Sequence, residues 1–130
     1  MFSDPIADML IRIKNASRAG RSELSLPYSK IKASIAKVLL KNGFLRDVGR
    51  KGKKTTKQIV LILNEVGQGN IVSNVKRISK PSKRVYYRLI ELKKISVDDK
   101  LRVLSTPHGI LSAPDAIRQK TGGELLFEIW

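Results

Sequence analysis

Residues 64–70, "NEVGQGN", decide how the chain is divided. Two glycines and two asparagines surround a single apolar residue, Val66, and no period survives there, which is the composition of a connection. On either side the apolar pattern resumes, and both Lys57 to Leu63 and Ile71 to Ile78 read as strands. The stretch therefore separates residues 1–64 from residues 65–130, two small units of similar length within a 130-residue chain.

Upstream, Asp4-Pro5 opens a helix. Asp4 can accept from the free N–H groups, and proline at the first helical position gives up no needed hydrogen bond. Ile6, Met9, Leu10 and Ile13 follow the i, i+3, i+4, i+7 spacing of a buried stripe, and Gly20 ends the element. Ser22 to Pro27 is a short strand with Leu24 and Leu26 on one face. A second helix starts near Ser29, buries Ile31, Ile35, Val38 and Leu39, and stops at Asn42-Gly43. Strands Phe44 to Val48 and Lys57 to Leu63 are joined by the loop "GRKGKKTTK". The N-terminal unit is α-β-α-β-β.

Downstream, Pro81 in "SKPSKR" breaks the strand pattern, and Val85-Tyr86-Tyr87 resumes extended chain. Leu89 to Leu92 forms a helical turn, while "ELKKISVDDK" gives no single reading. Leu101 to Leu104 is a strand leading into the loop "STPHG". Ser112-Ala113-Pro114-Asp115 matches a capping box before a short helix that Gly122-Gly123 ends. Glu124 to Trp130 is a last strand with Leu125, Phe127 and Ile129 on one face. The C-terminal unit is mostly β with a short helix, and the fold class is α+β.

Composition narrows the function. At 42% hydrophobic residues the chain can build a core. No run reaches the roughly 18 apolar residues of a membrane span, and "MFSDPIADML" lacks the basic and apolar regions of a signal peptide. The expectation is a soluble intracellular protein. Without cysteine there is no disulfide framework and no thiolate metal site, and one histidine makes an imidazole-rich metal site or other cofactor cluster equally unsupported.

Net charge of +15 implies a polyanionic partner, nucleic acid before a membrane surface. The excess is uneven. Residues 1–64 carry 14 Lys+Arg against 4 Asp+Glu, whereas residues 101–130 carry 3 of each. Bulk phosphate attraction therefore cannot be the whole purpose of the C-terminal segment.

Four candidate sites follow. Ser105 and His108 could be a nucleophile and its base, but the G-x-S-x-G elbow is absent and no carboxylate flanks them closely. "GRKGKKTT" fails the phosphate-loop pattern, because Asp47 stands at its first glycine position, Lys54 at its Ser/Thr position, and a strand follows. A flexible basic hairpin tip is the better reading, with five of the nine residues from Gly49 to Lys57 basic. Lys53 and Lys54 there are phosphate contacts or a solvated turn. Tyr86 and Tyr87 alternate across a strand beside Lys83-Arg84, so one is more buried, and the other either packs or stacks on an unpaired base. The hydroxyls of Ser105 and Thr106 either recognise nucleic acid without long-range charge or bond their own turn.

The segments "DPIADMLIRIKNA", "RISKPSKRVYYR", "VLSTPHGILSAPDA" and "TGGELLFEIW" together resemble the bacterial small-subunit ribosomal protein S8 family (universal uS8). The resemblance runs in order over essentially the whole length. It implies a structural constituent of the small subunit that binds the central domain of small-subunit (16S) ribosomal RNA and supports assembly, in the cytoplasm, beside neighbouring ribosomal proteins. Some relatives repress translation through a messenger segment that imitates the ribosomal site, so the chain's own messenger RNA joins the implied partners. By similarity the main RNA site lies in the C-terminal unit, at Tyr86, Ser105, Thr106, Pro107, His108, Gly122, Gly123 and Glu124. Lys30, Lys53, Lys54, Lys83 and Arg84 are the expected phosphate contacts. No catalytic residue is implied.

Two positions depart from the family. Pro107 replaces a third serine and removes a hydroxyl and a backbone donor. Ser82 replaces a glycine, which would cost on the order of 1 kcal/mol if the position required φ > 0. The competing class is a basic nucleic-acid-binding or regulatory protein outside the ribosome.

Overall fold

The computed structural model describes residues 4–95 and 98–130. Helix α1 spans Pro5–Arg18, with the Asp4 carboxylate accepting from the Ala7 amide at 3.1 Å. Strand β1 (Glu23–Pro27) leads to helix α2 (Lys30–Lys41), whose first turn is closed by the Ser29 hydroxyl. Strands β2 (Leu45–Lys51) and β3 (Gln58–Leu63) complete an antiparallel sheet of order β1-β3-β2. This is the α-β-α-β-β succession expected from the periodicity. Strand β2 runs three residues further than its apolar pattern, because Gly49, Arg50 and Lys51 keep pairing with β3. Backbone pairing does not need apolar side chains. Ile31, expected in the α2 stripe, is exposed, and Ala36 is buried in addition to Ile35, Val38 and Leu39.

The segment 64–70 is fastened rather than slack. Asn64 Nδ2 donates to the carbonyls of Gly43 (2.7 Å) and Asn70 (2.9 Å). The Asn70 amide also donates to Gly43, and its side chain donates to the Asn42 carbonyl. These bonds seat the loop on the C-terminus of α2, where otherwise orphaned carbonyls need partners.

The second sheet is built on strand β8 (Gly123–Ile129). Along one edge it pairs β4 (Val75–Arg77) and β5 (Tyr86–Tyr87); along the other it pairs β6 (Leu101–Thr106). β6 in turn forms a hairpin with β7 (Gly109–Ser112). Short helices α3 (Leu89–Lys93) and α4 (Ala113–Arg118) complete the chain. The α+β class stands, with several local corrections. The strand expected over residues 71–78 is only three residues long, because Ser73 and Asn74 donate instead to the Trp130 carbonyl. β7 replaces what read as loop, since Ile110 and Leu111 have a partner that apolar spacing could not reveal. Helix α4 ends at Arg118, before the two glycines, with Lys120 in the left-handed region at φ 55°. Within "ELKKISVDDK", Ser96 and Val97 lie outside the described residues.

The pattern of β8 also differs from the single apolar face expected. Leu125 through Ile129 are all buried, Glu128 included. Val103 faces Phe127 while Leu104 faces Leu125, so Leu126 is an extra residue in β8, a bulge. The face changes there. Leu125 joins Leu92, Leu104 and Ala116 in a small cluster, whereas Leu126, Phe127 and Ile129 join the main core. That core is continuous from α1, α2 and the first sheet to the second sheet.

Phe127 is fully buried at the centre of that core. Phe127→Ala should lower unfolding stability by about 3–5 kcal/mol, the range for deleting a buried aromatic. A reduced denaturation midpoint with an unchanged slope in urea would register it.

Candidate nucleic-acid interface

The register of the second sheet brings three of the expected residues into one row. Tyr86 in β5 lies opposite Glu124 in β8, and Glu124 lies opposite Ser105 in β6. Directly paired residues share a face, so Tyr86, Glu124 and Ser105 stand side by side across three strands. Ser105 follows Val103 by two residues and therefore shares its face. Val103 is fully buried in the main core, Ser105 and Glu124 are half-buried, and Tyr86 is 66% exposed. The sheet face thus runs out from under the core and opens at this row. Tyr87 points the other way and packs against the small Leu92–Leu104 cluster, as the alternation required.

Ser105 and Thr106 are strand residues, not loop residues. Thr106 bonds within its own turn. Its hydroxyl donates to the Gly109 carbonyl at 2.8 Å and accepts from the His108 amide at 3.1 Å. Pro107 and His108 form the exposed tip, where proline presets φ at no cost to pairing and Gly109 takes φ +107°. Among the described residues no hydrogen bond joins Ser105 to His108.

Gly122 and Gly123 are small because backbone crowds them from both sides. A Cβ on Gly122 would strike the Tyr87 carbonyl oxygen, and one on Gly123 the Ser105 carbonyl oxygen. Neither glycine has a left-handed φ, so space, not torsion, is the requirement here. Close approach of strands β5 and β6 to β8 is what sets the row's spacing.

Glu124 is held inside the protein. Its Oε2 accepts from the Ser79 hydroxyl at 2.6 Å and from Arg84 at 2.9 Å, while Ser79 Oγ accepts from the Val85 amide. Burial raises the carboxyl's pKa, but these two hydrogen bonds and the charges of Arg84 and Arg77 outweigh it and hold the group below its ordinary value. Arg84, expected on phosphate, is thus partly engaged by Glu124, with its side chain half exposed. Lys83 is exposed and closes a tight turn by exchanging backbone hydrogen bonds with Lys80. Ser82 in that turn does not have positive φ, so no backbone strain is incurred there.

Ser79 escaped the sequence reading. It is fully buried, and nothing in "ISKPS" distinguishes it from an ordinary exposed serine. Only its position beside β8 makes it the support for Glu124. The remaining expected residues belong to the first sheet and do not join the row. Lys30 opens α2, and Lys53 and Lys54 form the exposed turn between β2 and β3. In that turn Gly52 takes φ +89°, and the Lys53 amide donates to Thr56 Oγ1.

Among the described residues no group of three His, Cys, Asp or Glu side chains could hold a metal ion, and no helix is long and apolar enough to cross a membrane. The fold and the row describe a basic α+β protein with a polar, partly open sheet face. Its sequence matches the profile of the family described as "Ribosomal protein S8" over residues 4–130. It is 42% identical, over the full length of both chains, to small ribosomal subunit protein uS8 of Nitratidesulfovibrio vulgaris strain Miyazaki F. It is 38% identical, again over both full lengths, to the proteins of that name from Sorangium cellulosum and Persephonella marina. The chain belongs to the ribosomal protein S8 family, a family of ribosomal structural proteins and not an enzyme class.

The Glu124 carboxyl has a depressed folded-state pKa, so its stabilisation is complete above the unfolded value of about 4.3 and disappears as pH falls through the folded value. Glu124→Gln should therefore flatten the acid limb of a plot of thermal midpoint against pH. An acid limb identical to that of the parent protein would contradict the role given to this carboxyl.

Proposed function

We propose that the chain is a structural constituent of the small ribosomal subunit and a primary binder of the central domain of its 16S RNA, supporting assembly in the cytoplasm. The observation that carries this is the Tyr86–Glu124–Ser105 row, where a stacking ring, a held carboxylate and a hydroxyl lie on three adjacent strands. Such groups fit unpaired bases, 2′-hydroxyls and irregular backbone, the features by which proteins recognise RNA. Residues 65–130 carry this main site. Residues 1–64 add delocalised attraction through Lys30, Lys53 and Lys54, with Lys83 and Arg84 doing the same beside the row.

Family membership and the names of the relatives support placement in the small subunit, next to ribosomal RNA and other small-subunit proteins. In the complex, Pro107, His108, Gly122 and Gly123 shape the surface around the row, and the chain's own messenger RNA would bind there by imitating the ribosomal helix. The test compares a short RNA carrying the irregular central-domain helix with a fully paired helix of equal length, at two salt concentrations. A preference for the irregular RNA that persists at high salt is expected; equal binding that vanishes with salt would sink the proposal.

Ser105→Ala should weaken binding to the irregular RNA by roughly 1–3 kcal/mol with little change in salt dependence. Thr106→Val should in addition loosen the hairpin tip, because its hydroxyl is already used there. Lys53→Gln with Lys54→Gln should instead weaken both RNAs alike and flatten the salt dependence, by up to about one unit for each phosphate no longer neutralised.

A further inference from the structure

Apart from Arg46, the cations of the first sheet and its β2–β3 turn are collected at one end. Pairing places Pro27, Gln58 and Lys51 in the last row of β1, β3 and β2, while Glu23 and Asp47 both face Ile62 at the opposite end. Beyond the last row, the Tyr28 amide donates to the Lys57 carbonyl, which brings Tyr28 against the β2–β3 turn. Arg50 then lies 4.9 Å and Lys57 4.7 Å from the centre of the Tyr28 ring. Lys30 and Lys32 occupy the adjoining first turn of α2, which holds no acidic residue. Among the described residues, none of Lys30, Lys32, Arg50, Lys51, Lys53, Lys54 and Lys57 takes part in an ion pair.

This differs from the usual fate of surface cations. Arginine and lysine side chains carry large rotamer entropy, and a phosphate contact ordinarily has to order them. An aromatic face attracts a cation without neutralising it. Tyr28 thus holds two positive charges in place and leaves their full charge available to an external anion. A carboxylate in the same position would hold them equally well and cancel them.

We propose that Tyr28 is the positioning residue of a second RNA contact, at which Arg50 and Lys57, flanked by Lys30 and Lys51, receive consecutive phosphates of one RNA strand. The proposal rests on the RNA-binding reading above, but the contact lies on the first sheet, apart from the Tyr86–Glu124–Ser105 row. The groups it assigns to the strand are cations, so it reads charge spacing and not base identity. The turn lysines 53 and 54 reach the same strand without any such ring beneath them.

The experiment measures binding of a short, fully paired RNA duplex across a potassium chloride series, with the thermal midpoint of each variant recorded alongside. Tyr28→Leu should weaken binding about three- to tenfold and flatten the salt dependence, whereas Tyr28→Phe, which keeps the ring, should behave as the parent. Equal binding by the leucine variant overturns the proposal. So does a phenylalanine variant that loses as much as leucine, since the ring face would then not be the cause. If Tyr28→Leu does not fold, Arg50→Gln combined with Lys57→Gln should give the same weakening, and unchanged binding there is equally fatal. Polyglutamate that displaces the duplex as effectively as RNA of equal charge would mark an acidic-protein surface and overturn the assignment to RNA. The preference for irregular over paired RNA is a separate readout. Its absence would defeat the recognition role of the row, while the paired-duplex measurement would still decide the case of Tyr28.

Discussion

Strand β8 is hydrogen-bonded along both edges, and the rest of the molecule is arranged around that fact. A central strand paired along both edges can be buried on both faces, which is why five consecutive side chains of β8 are shielded from water. The bulge at Leu126 then changes which side chains face which core. Beyond it, Phe127 and Ile129 pack into the apolar interior shared with α1, α2 and the first sheet. Before it, Glu124 reaches the open end of the same sheet. One extra residue in one strand therefore puts Glu124 on the same face as Phe127, so that the open row continues the face that packs the core. The Leu126 carbonyl at that point accepts from the Ile78 amide and from Arg77, and Arg77 also pairs with Asp4 at the head of α1. The ion pair ties the two sheets' halves of the chain together where the strand is irregular.

Electrostatics divide the molecule in a way that net charge conceals. Beside β8, Lys76, Lys80 and Lys83 are in no ion pair among the described residues, but the arginines are paired: Arg84 with Glu124, Arg102 with Asp98 and Glu128, and Arg118 with Asp115. Those arginine charges are compensated within the chain. The basic end of the first sheet is the opposite case, with charge held by an aromatic ring and left uncompensated. Paired arginine charge and uncompensated charge thus lie on different parts of one chain.

How much of this was legible depends on the range of the interaction concerned. Helices α1 and α2 were readable because Asp4 and Ser29 cap them through contacts three residues away and their stripes follow the helical period. The failures have equally definite causes. Ile31 has helical spacing but stays exposed, so spacing alone placed it wrongly. β7 was hidden because a hairpin depends on cross-strand partners, and Pro107-His108 reads as an ordinary turn. Gly122 and Gly123 looked like a helix stop, yet their reason is the carbonyl oxygens of residues that lie far away in sequence.

By itself the sequence determined the α+β class, the starts of α1 and α2, the uneven charge and the family, since each is carried by local periodicity, composition or residue identity. Tertiary structure alone decided that Tyr86, Glu124 and Ser105 form a row, that Ser79 is buried beneath Glu124, and that Tyr28 collects two cations. Each of these depends on strand register. Register is fixed by the packing of the whole sheet, and a shift of one residue would turn every side chain to the other face.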